Sequence, residues 1–277
     1  MISNTKHIAI LGCGWLGLPL AKELIEKGHR ISGTTTSADK LAILEAAGIS
    51  PFLVELTEKE IRGDLETFLN SAQILVIDIP PKLRGLNSES FVKKIQHLIP
   101  YIEASSVEKV LFISSTSVYA DDTLFSEVDE DTLPHPISES GKQLLVVERL
   151  LKANLHFETS ILRFGGLIGN GRHPIKQLAG KSQLKNPNAP VNLIHIDDAI
   201  GIIVAILKKD KWGTLLNAVA PFHEEKERYY EKMASIYNLS TPIYDSETPS
   251  KGKKIGSKSI NDILSYTFKV KNLLIKV

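Results

Sequence analysis

Short apolar runs alternate with amphipathic stretches along the first 165 residues. Ile8-Ala9-Ile10-Leu11 ends in glycine and reads as a buried strand of a parallel sheet. Leu18, Leu20, Ala21, Leu24 and Ile25 then recur at helical spacing over 18–27, and Gly28 is the stop. The alternation continues with a strand at 29–34, a helix at 40–47 stopped by Gly48, a short strand at 52–54 and a helix at 58–69. A strand at 74–77 is ended by Pro80-Pro81. A helix at 90–104, interrupted near Pro100, leads to a buried strand at 110–113, a long helix at 138–153 and a strand at 159–164. This order predicts an α/β fold, a doubly wound and mostly parallel sheet covered by helices on both faces, over residues 1–165.

After Gly165 the texture changes. Residues 169–190 are rich in Gly, Pro, Asn, Lys and Gln and read as loop with little core. An apolar helix follows at 197–207, capped by Asp197 or Asp198, and an amphipathic helix at 225–237. Residues 250–277 hold seven Lys and one Asp and read as a solvated charged edge. Residues 166–277 are therefore expected to form a smaller C-terminal portion that binds substrate over the strand ends.

Composition narrows the function classes. The 277 residues carry 33 Lys+Arg against 32 Asp+Glu, so no global field draws the chain to nucleic acid or an anionic membrane. The lone Cys13 excludes an intramolecular disulfide and a Cys-rich zinc site. The eight His show no metal spacing, and no metal is expected. His7 and His29 flank strands and are expected to be exposed. The polar start and the absence of an apolar run of about 18 residues predict no leader and no membrane span, hence a cytoplasmic protein.

Gly12-Cys13-Gly14-Trp15-Leu16-Gly17 fits G-x-G-x-x-G between a predicted strand and a predicted helix, the context a dinucleotide requires. The first glycine permits the tight turn, the second lets a pyrophosphate approach the backbone, and the third lets helix and strand pack closely. The helix start offers its N–H groups to the phosphates, with Trp15 and Leu16 in the loop. About 20 residues on, where NAD readers place an acid, stand Thr34, Thr35 and Thr36, with no acid before Asp39 and with Lys40 beside it. Hydroxyls accept a 2′-phosphate that a carboxylate would repel. The expected cofactor is NADP, with NAD the alternative.

Five segments, in order, resemble the extended, nucleotide-sugar epimerase/dehydratase branch of the short-chain dehydrogenase/reductase superfamily. They are 12–17, Ile113-Ser114-Ser115-Thr116-Ser117-Val118-Tyr119, Gly141-Lys142, the run 162–172 ending Gly171-Arg172, and Val191-Asn192-Leu193-Ile194-His195-Ile196-Asp197-Asp198. The resemblance implies a Rossmann fold and hydride transfer at a carbinol carbon. It places Ser115 on the substrate oxygen, Lys142 on the nicotinamide ribose, and Pro80 and Phe164 beside the cofactor. Arg172 is implied as a contact to substrate phosphates, with Arg163 as a buried partner. Ser114 reads as strand-end packing and His195 as structural.

The sequence departs from the family at one position. Ser138, not tyrosine, stands four residues before Lys142 in Ser138-Glu139-Ser140-Gly141-Lys142. A serine hydroxyl is far less acidic than a phenol, so Ser138 needs another base to act in proton transfer. Tyr119 is the other phenol near the pattern. Two functions stand open at this point. One is an NAD(P)-dependent oxidoreductase or epimerase/dehydratase-like enzyme acting on a small hydroxy or keto compound such as a nucleotide sugar. The other is an NADP(H)-binding sensor or partner-binding protein without turnover. The family also implies a homodimer, for which the helices at 90–104 and 138–153 could serve.

Overall fold

The computed structural model describes residues 5–83 and 88–277. Residues 1–4, where the predicted polar start begins, lie outside the described residues. In chain order the elements are β1 (His7–Leu11), α1 (Gly17–Glu26), β2 (Arg30–Thr35), α2 (Leu41–Ala46), β3 (Ser50–Leu53), β4 (Glu55–Leu56), β5 (Ile61–Arg62), α3 (Leu65–Leu69), β6 (Ile74–Ile77) and α4 (Phe91–Glu103). They continue with β7 (Lys109–Ser115), β8 (Glu127–Val128), α5 (Glu139–Lys152), β9 (Glu158–Phe164), β10 (Gly166–Ile168) and α6 (Ile175–Leu178). The last are β11 (Leu193–His195), α7 (Ile196–Lys209), β12 (Leu215–Ala218), α8 (Lys226–Tyr237), β13 (Lys254–Ile255) and α9 (Lys258–Leu264).

Seven strands form one sheet in the order β12-β9-β7-β6-β1-β2-β3. The pairs β1–β2, β1–β6, β2–β3 and β6–β7 are all parallel. The order runs outward from β1 in both directions, which is the doubly wound arrangement expected from the apolar runs. Every residue of β6 is buried, as a parallel strand covered on both faces requires.

By compactness the chain divides into two units. One comprises Met1–Ser114, Ser138–Leu162 and Asp210–Leu215; the other comprises Ser115–Ile137, Arg163–Lys209 and Leu216–Val277. In the first, Ile8, Ile10, Leu20, Leu24, Phe68, Val76, Ile95 and Phe112 are buried between sheet and helices. In the second, Ile168, Ile175, Val191, Tyr229, Met233 and Leu273 form a separate core cluster.

Several expectations are corrected. The helix predicted at 58–69 is a β4–β5 hairpin followed by α3. Thr57 Oγ1 accepts from the Lys59 and Glu60 N–H groups and closes a turn. Gly63 takes a positive φ of 101°, and only then does Asp64 cap α3 by accepting from Thr67 N–H. The helix at 90–104 is not interrupted at Pro100, which lies inside α4. Buried Ile95, Leu98 and Ile102 hold that helix to its neighbours through the missing hydrogen bond. The stretch 169–190 is not coreless: Ile175 and Ala189 are fully buried and α6 forms within it.

Neither Asp197 nor Asp198 stands before the helix as its cap. Both lie in the first turn of α7, which begins at Ile196. The charged C-terminal stretch is not merely a solvated edge, because Leu273 is fully buried and Lys253 nearly so. His7 and His29 are half-buried rather than exposed. His7 Nε2 lies 2.8 Å from Ser32 Oγ, and His29 Nδ1 accepts from the Lys6 N–H. Among the described residues no helix is long and apolar enough to cross a membrane.

Candidate functional site

In the first unit the glycine loop joins β1 to α1. Gly12 has φ 107°, which favours glycine, and a Cβ there would collide with the Asp78 carbonyl. A Cβ on Gly17 would collide with the Gly12 carbonyl. These two glycines therefore let the turn, the helix start and the end of β6 close on each other. Gly14 differs: it is exposed, its φ is unexceptional, and a Cβ would meet nothing within 4 Å. The open space lies at the position a pyrophosphate would approach, and the first turn of α1 carries no acid to oppose it. The residues present thus fit a dinucleotide phosphate. Leu16 is buried against the core beneath the loop, and Trp15 is half-buried.

The three threonines at the end of β2 and just past it do different things. Thr34 Oγ1 accepts from Gly12 N–H at 2.9 Å, and its carbonyl accepts from Cys13 N–H at 2.8 Å. Thr34 therefore braces the loop. Thr35 is buried and bonds within its own turn, accepting from Ser37 N–H at 3.2 Å. Thr36 and Lys40 are exposed. Of the hydroxyls expected to read a 2′-phosphate, Thr36 is the one presented to solvent. Cys13 is buried inside the loop. Burial first, then the Asp78 carboxylate, pushes its thiol up to about 12. Pro80 is exposed just past β6.

Ser138 is the N-cap of α5: its Oγ accepts from Gly141 N–H at 3.1 Å. Lys142 is exposed in the first turn of that helix. Ser114, at the buried end of β7, donates to Glu148 on α5 at 2.6 Å. The apolar stripes of α4 and α5 expected at a dimer interface include Ile95, Leu98, Leu144 and Leu151, which are buried within the single chain.

In the second unit Ser115 ends β7 half-buried, and its Oγ accepts from Ser117 N–H at 3.1 Å. That leaves its hydroxyl hydrogen to donate elsewhere. Tyr119 is buried. Its hydroxyl accepts from Arg163 at 2.6 Å and lies 2.9 Å from the Asp129 carbonyl and 3.1 Å from Asn217 Oδ1. Burial raises the Tyr119 pKa against the opposing pull of Arg163. A phenol so enclosed is a structural group. Arg163 is 2% exposed. Phe164 is buried at the end of β9.

Gly169 and Arg172 exchange backbone hydrogen bonds of 3.0 and 2.9 Å, closing a tight turn that leaves Arg172 exposed. His195 Nδ1 accepts from Asp197 N–H at 3.3 Å, and Asp197 Oδ2 lies 3.4 Å from the same nitrogen. Asp198 is fully buried and accepts from Tyr266 Oη, Lys269 N–H and Val270 N–H. It ties the start of α7 to the C-terminal segment. Sequence reasoning missed Asp78 beneath the glycine loop; its place just after the buried strand β6 was the available signal.

No protein-family model matches the chain. Protein YeeZ of Escherichia coli strain K12 is 34% identical over 262 residues, covering 93% of this chain and 94% of that protein. The chain belongs to the YeeZ family. A 3-diazoavenalumate denitrifying reductase of a Streptomyces species is 25% identical over 222 residues, covering 73% of this chain and 72% of that protein. Among solved structures, UDP-glucuronic acid 4-epimerase from Bacillus cereus in complex with NAD superposes with a TM-score of 0.79. It is 18% identical and covers 95% of this chain and 92% of that chain. This YeeZ-family chain has the fold of the extended short-chain dehydrogenase/reductases, as its five sequence segments implied.

Proposed function

We propose that this chain is a nicotinamide-dinucleotide-dependent enzyme, an oxidoreductase or epimerase acting on a hydroxy or keto compound such as a nucleotide sugar. The glycine loop carries the reading: Gly12 and Gly17 are packed where only glycine fits, and Gly14 alone faces open space. The Bacillus cereus neighbour that holds NAD, and the Streptomyces reductase, support it. Residues 1–165 would carry the dinucleotide and 166–277 most of the substrate contacts. When bound, the nicotinamide supplies hydride transfer.

The chain's own residues supply the rest. Gly14, Trp15, Leu16 and the start of α1 hold the phosphates. Thr36 and Lys40 favour NADP over NAD, with Thr34 and Thr35 bracing that edge. Pro80 and the end of β9 at Phe164 line the cofactor, Lys142 orients its ribose, and Arg172 meets a substrate phosphate. Ser115 donates its free hydroxyl hydrogen to the substrate oxygen. Ser138 cannot be a strong base while its oxygen caps α5, so the proton is assigned to water or to a substrate group.

The reading is tested by following oxidation of NADPH against a panel of carbonyl compounds and UDP-sugars. Ser115→Ala is expected to lower kcat by about 100-fold while leaving cofactor binding intact. Full activity in Ser115→Ala would overturn the assignment. A second reading, cofactor binding without turnover, is favoured by the capping role of Ser138. It predicts tight binding with no consumption of NADPH by any member of the panel.

A further inference from the structure

The turn that presents Arg172 is built on a chemically fragile pair. Gly169 and Arg172 close it with backbone hydrogen bonds of 3.0 and 2.9 Å. Between them Asn170 has φ 46° and Gly171 φ 77°, so both central residues are left-handed, as in a type I′ turn. Such a turn favours Asn followed by Gly, because few other side chains tolerate its backbone. Asn170 is the only asparagine of the chain followed by glycine. The base of the turn is pinned, since a Cβ on Gly169 would collide with Ile196.

The groups that could react are unengaged. Asn170 and Gly171 are exposed. Among the described residues neither the Asn170 side-chain amide nor the Gly171 N–H makes a hydrogen bond. A Cβ at Gly171 would meet nothing within 4 Å, so this peptide stands clear of its neighbours. Lys176 Nζ donates to the Gly171 carbonyl at 2.5 Å, and Arg172 follows in the chain. Positive charge there lowers the cost of the negative charge that an attacking peptide nitrogen develops. The type I′ backbone turns the Gly171 nitrogen away from the Asn170 side chain, so reaction follows opening of the turn. An exposed turn held by few hydrogen bonds opens at little cost in free energy.

We propose that Asn170-Gly171 is a site of spontaneous deamidation, with water as the co-reactant. The Gly171 nitrogen attacks Asn170 Cγ and an N–Cγ bond forms. The Cγ–Nδ2 bond breaks, and Nδ2 leaves as ammonia with the proton that the Gly171 nitrogen gives up. Water then opens the five-membered imide at either carbonyl, leaving aspartate or isoaspartate at position 170, with no change of oxidation state. Either product sets a carboxylate two residues before Arg172, and isoaspartate also lengthens the backbone of the turn. The effect on a substrate phosphate at Arg172 rests on the enzyme reading; the modification itself does not.

The full chain is incubated at pH 8, in native buffer and in urea, and digested with trypsin; the peptide 164–172 is then followed by mass spectrometry. Asn238 is the internal reference: it is exposed and left-handed with φ 54°, but it precedes Leu239. In native buffer Asn170 is expected to deamidate about tenfold faster than Asn238 or more, giving two products of equal mass. In heavy-oxygen water the new carboxyl is expected to carry the label. The rate is expected to rise in urea, where no turn has to open. Asn170→Gln, whose ring would need a sixth member, is expected to suppress the reaction at that position. Equal rates at Asn170 and Asn238 in native buffer, or undiminished loss of ammonia in Asn170→Gln, overturns the site. The first comparison lies within wild type and decides the matter whether or not the variant folds. Titration of UDP-glucose into wild type and Asn170→Asp reads the consequence for Arg172, with binding expected to weaken about threefold or more in the variant. Equal affinity removes that consequence. Absence of UDP-glucose binding by wild type counts against the substrate reading and leaves the deamidation result as the peptide reports it.

Discussion

At Gly14 an added methyl group meets open space, whereas at Gly12 and Gly17 it meets backbone. The three glycines of one motif therefore separate by experiment. Gly17→Ala is expected to destabilise the fold by about 2 kcal/mol or more, because backbone must move. Gly14→Ala is expected to change stability by less than about 0.5 kcal/mol and yet weaken dinucleotide binding. Urea unfolding and calorimetry on the two variants check both statements. Cys13, buried and held near 12, is expected to resist thiol reagents at neutral pH in the folded chain and to react fully in denaturant. Ser138→Ala is expected to cost about 1 kcal/mol as a lost helix cap. The close packing at Gly12 and Gly17 was legible in sequence because spacing and context define it. The division of labour among Thr34, Thr35 and Thr36 was not, because it depends on which hydroxyl the glycine loop captures.

Among the elements, those with a full apolar period were legible: β1, β6 and β7 as short buried runs, α1, α5 and α8 as amphipathic repeats. The stretch 58–69 misled because Leu65, Phe68 and Leu69 carry a helical pattern that begins only after the Gly63 turn. Pro100 misled in the other direction, since local propensity yields where four apolar side chains of α4 are fully buried. Asp198 read as a cap because the sequence shows its place near a helix start and hides its partners, 68 to 72 residues away. Asp198→Ala would strip the Lys269 and Val270 N–H groups of their acceptor. It is expected to cost roughly 3 kcal/mol and to expose the C-terminal segment to proteolysis before the rest of the chain, as limited digestion would show.

For the molecule as a whole, pH dependence follows the groups whose pKa the fold shifts, and a buried histidine is one of them. His173 is 3% exposed; its Nδ1 accepts from Ile175 N–H, and Nε2 lies 2.9 Å from Tyr229 Oη. Burial first, then Lys176, lowers its pKa from 6.5 to about 4. The unfolded chain therefore binds a proton that the folded chain refuses between those values, and stability falls as pH drops from 6.5 toward 4. The loss is on the order of 2–3 kcal/mol from this residue. Urea unfolding at pH 7 and pH 4.5 should show it, and His173→Phe should flatten that slope. The doubly wound fold was legible at this scale because alternating strands and helices admit few topologies. The proposed function requires that the loop from Gly12 to Gly17 hold a nicotinamide dinucleotide. Calorimetric titration with NADPH and NADH, against wild type and Gly14→Asp, tests it most directly. Saturable binding is expected, tighter for NADPH and lost in Gly14→Asp. Absence of binding by either dinucleotide, or equal binding by Gly14→Asp, would contradict it.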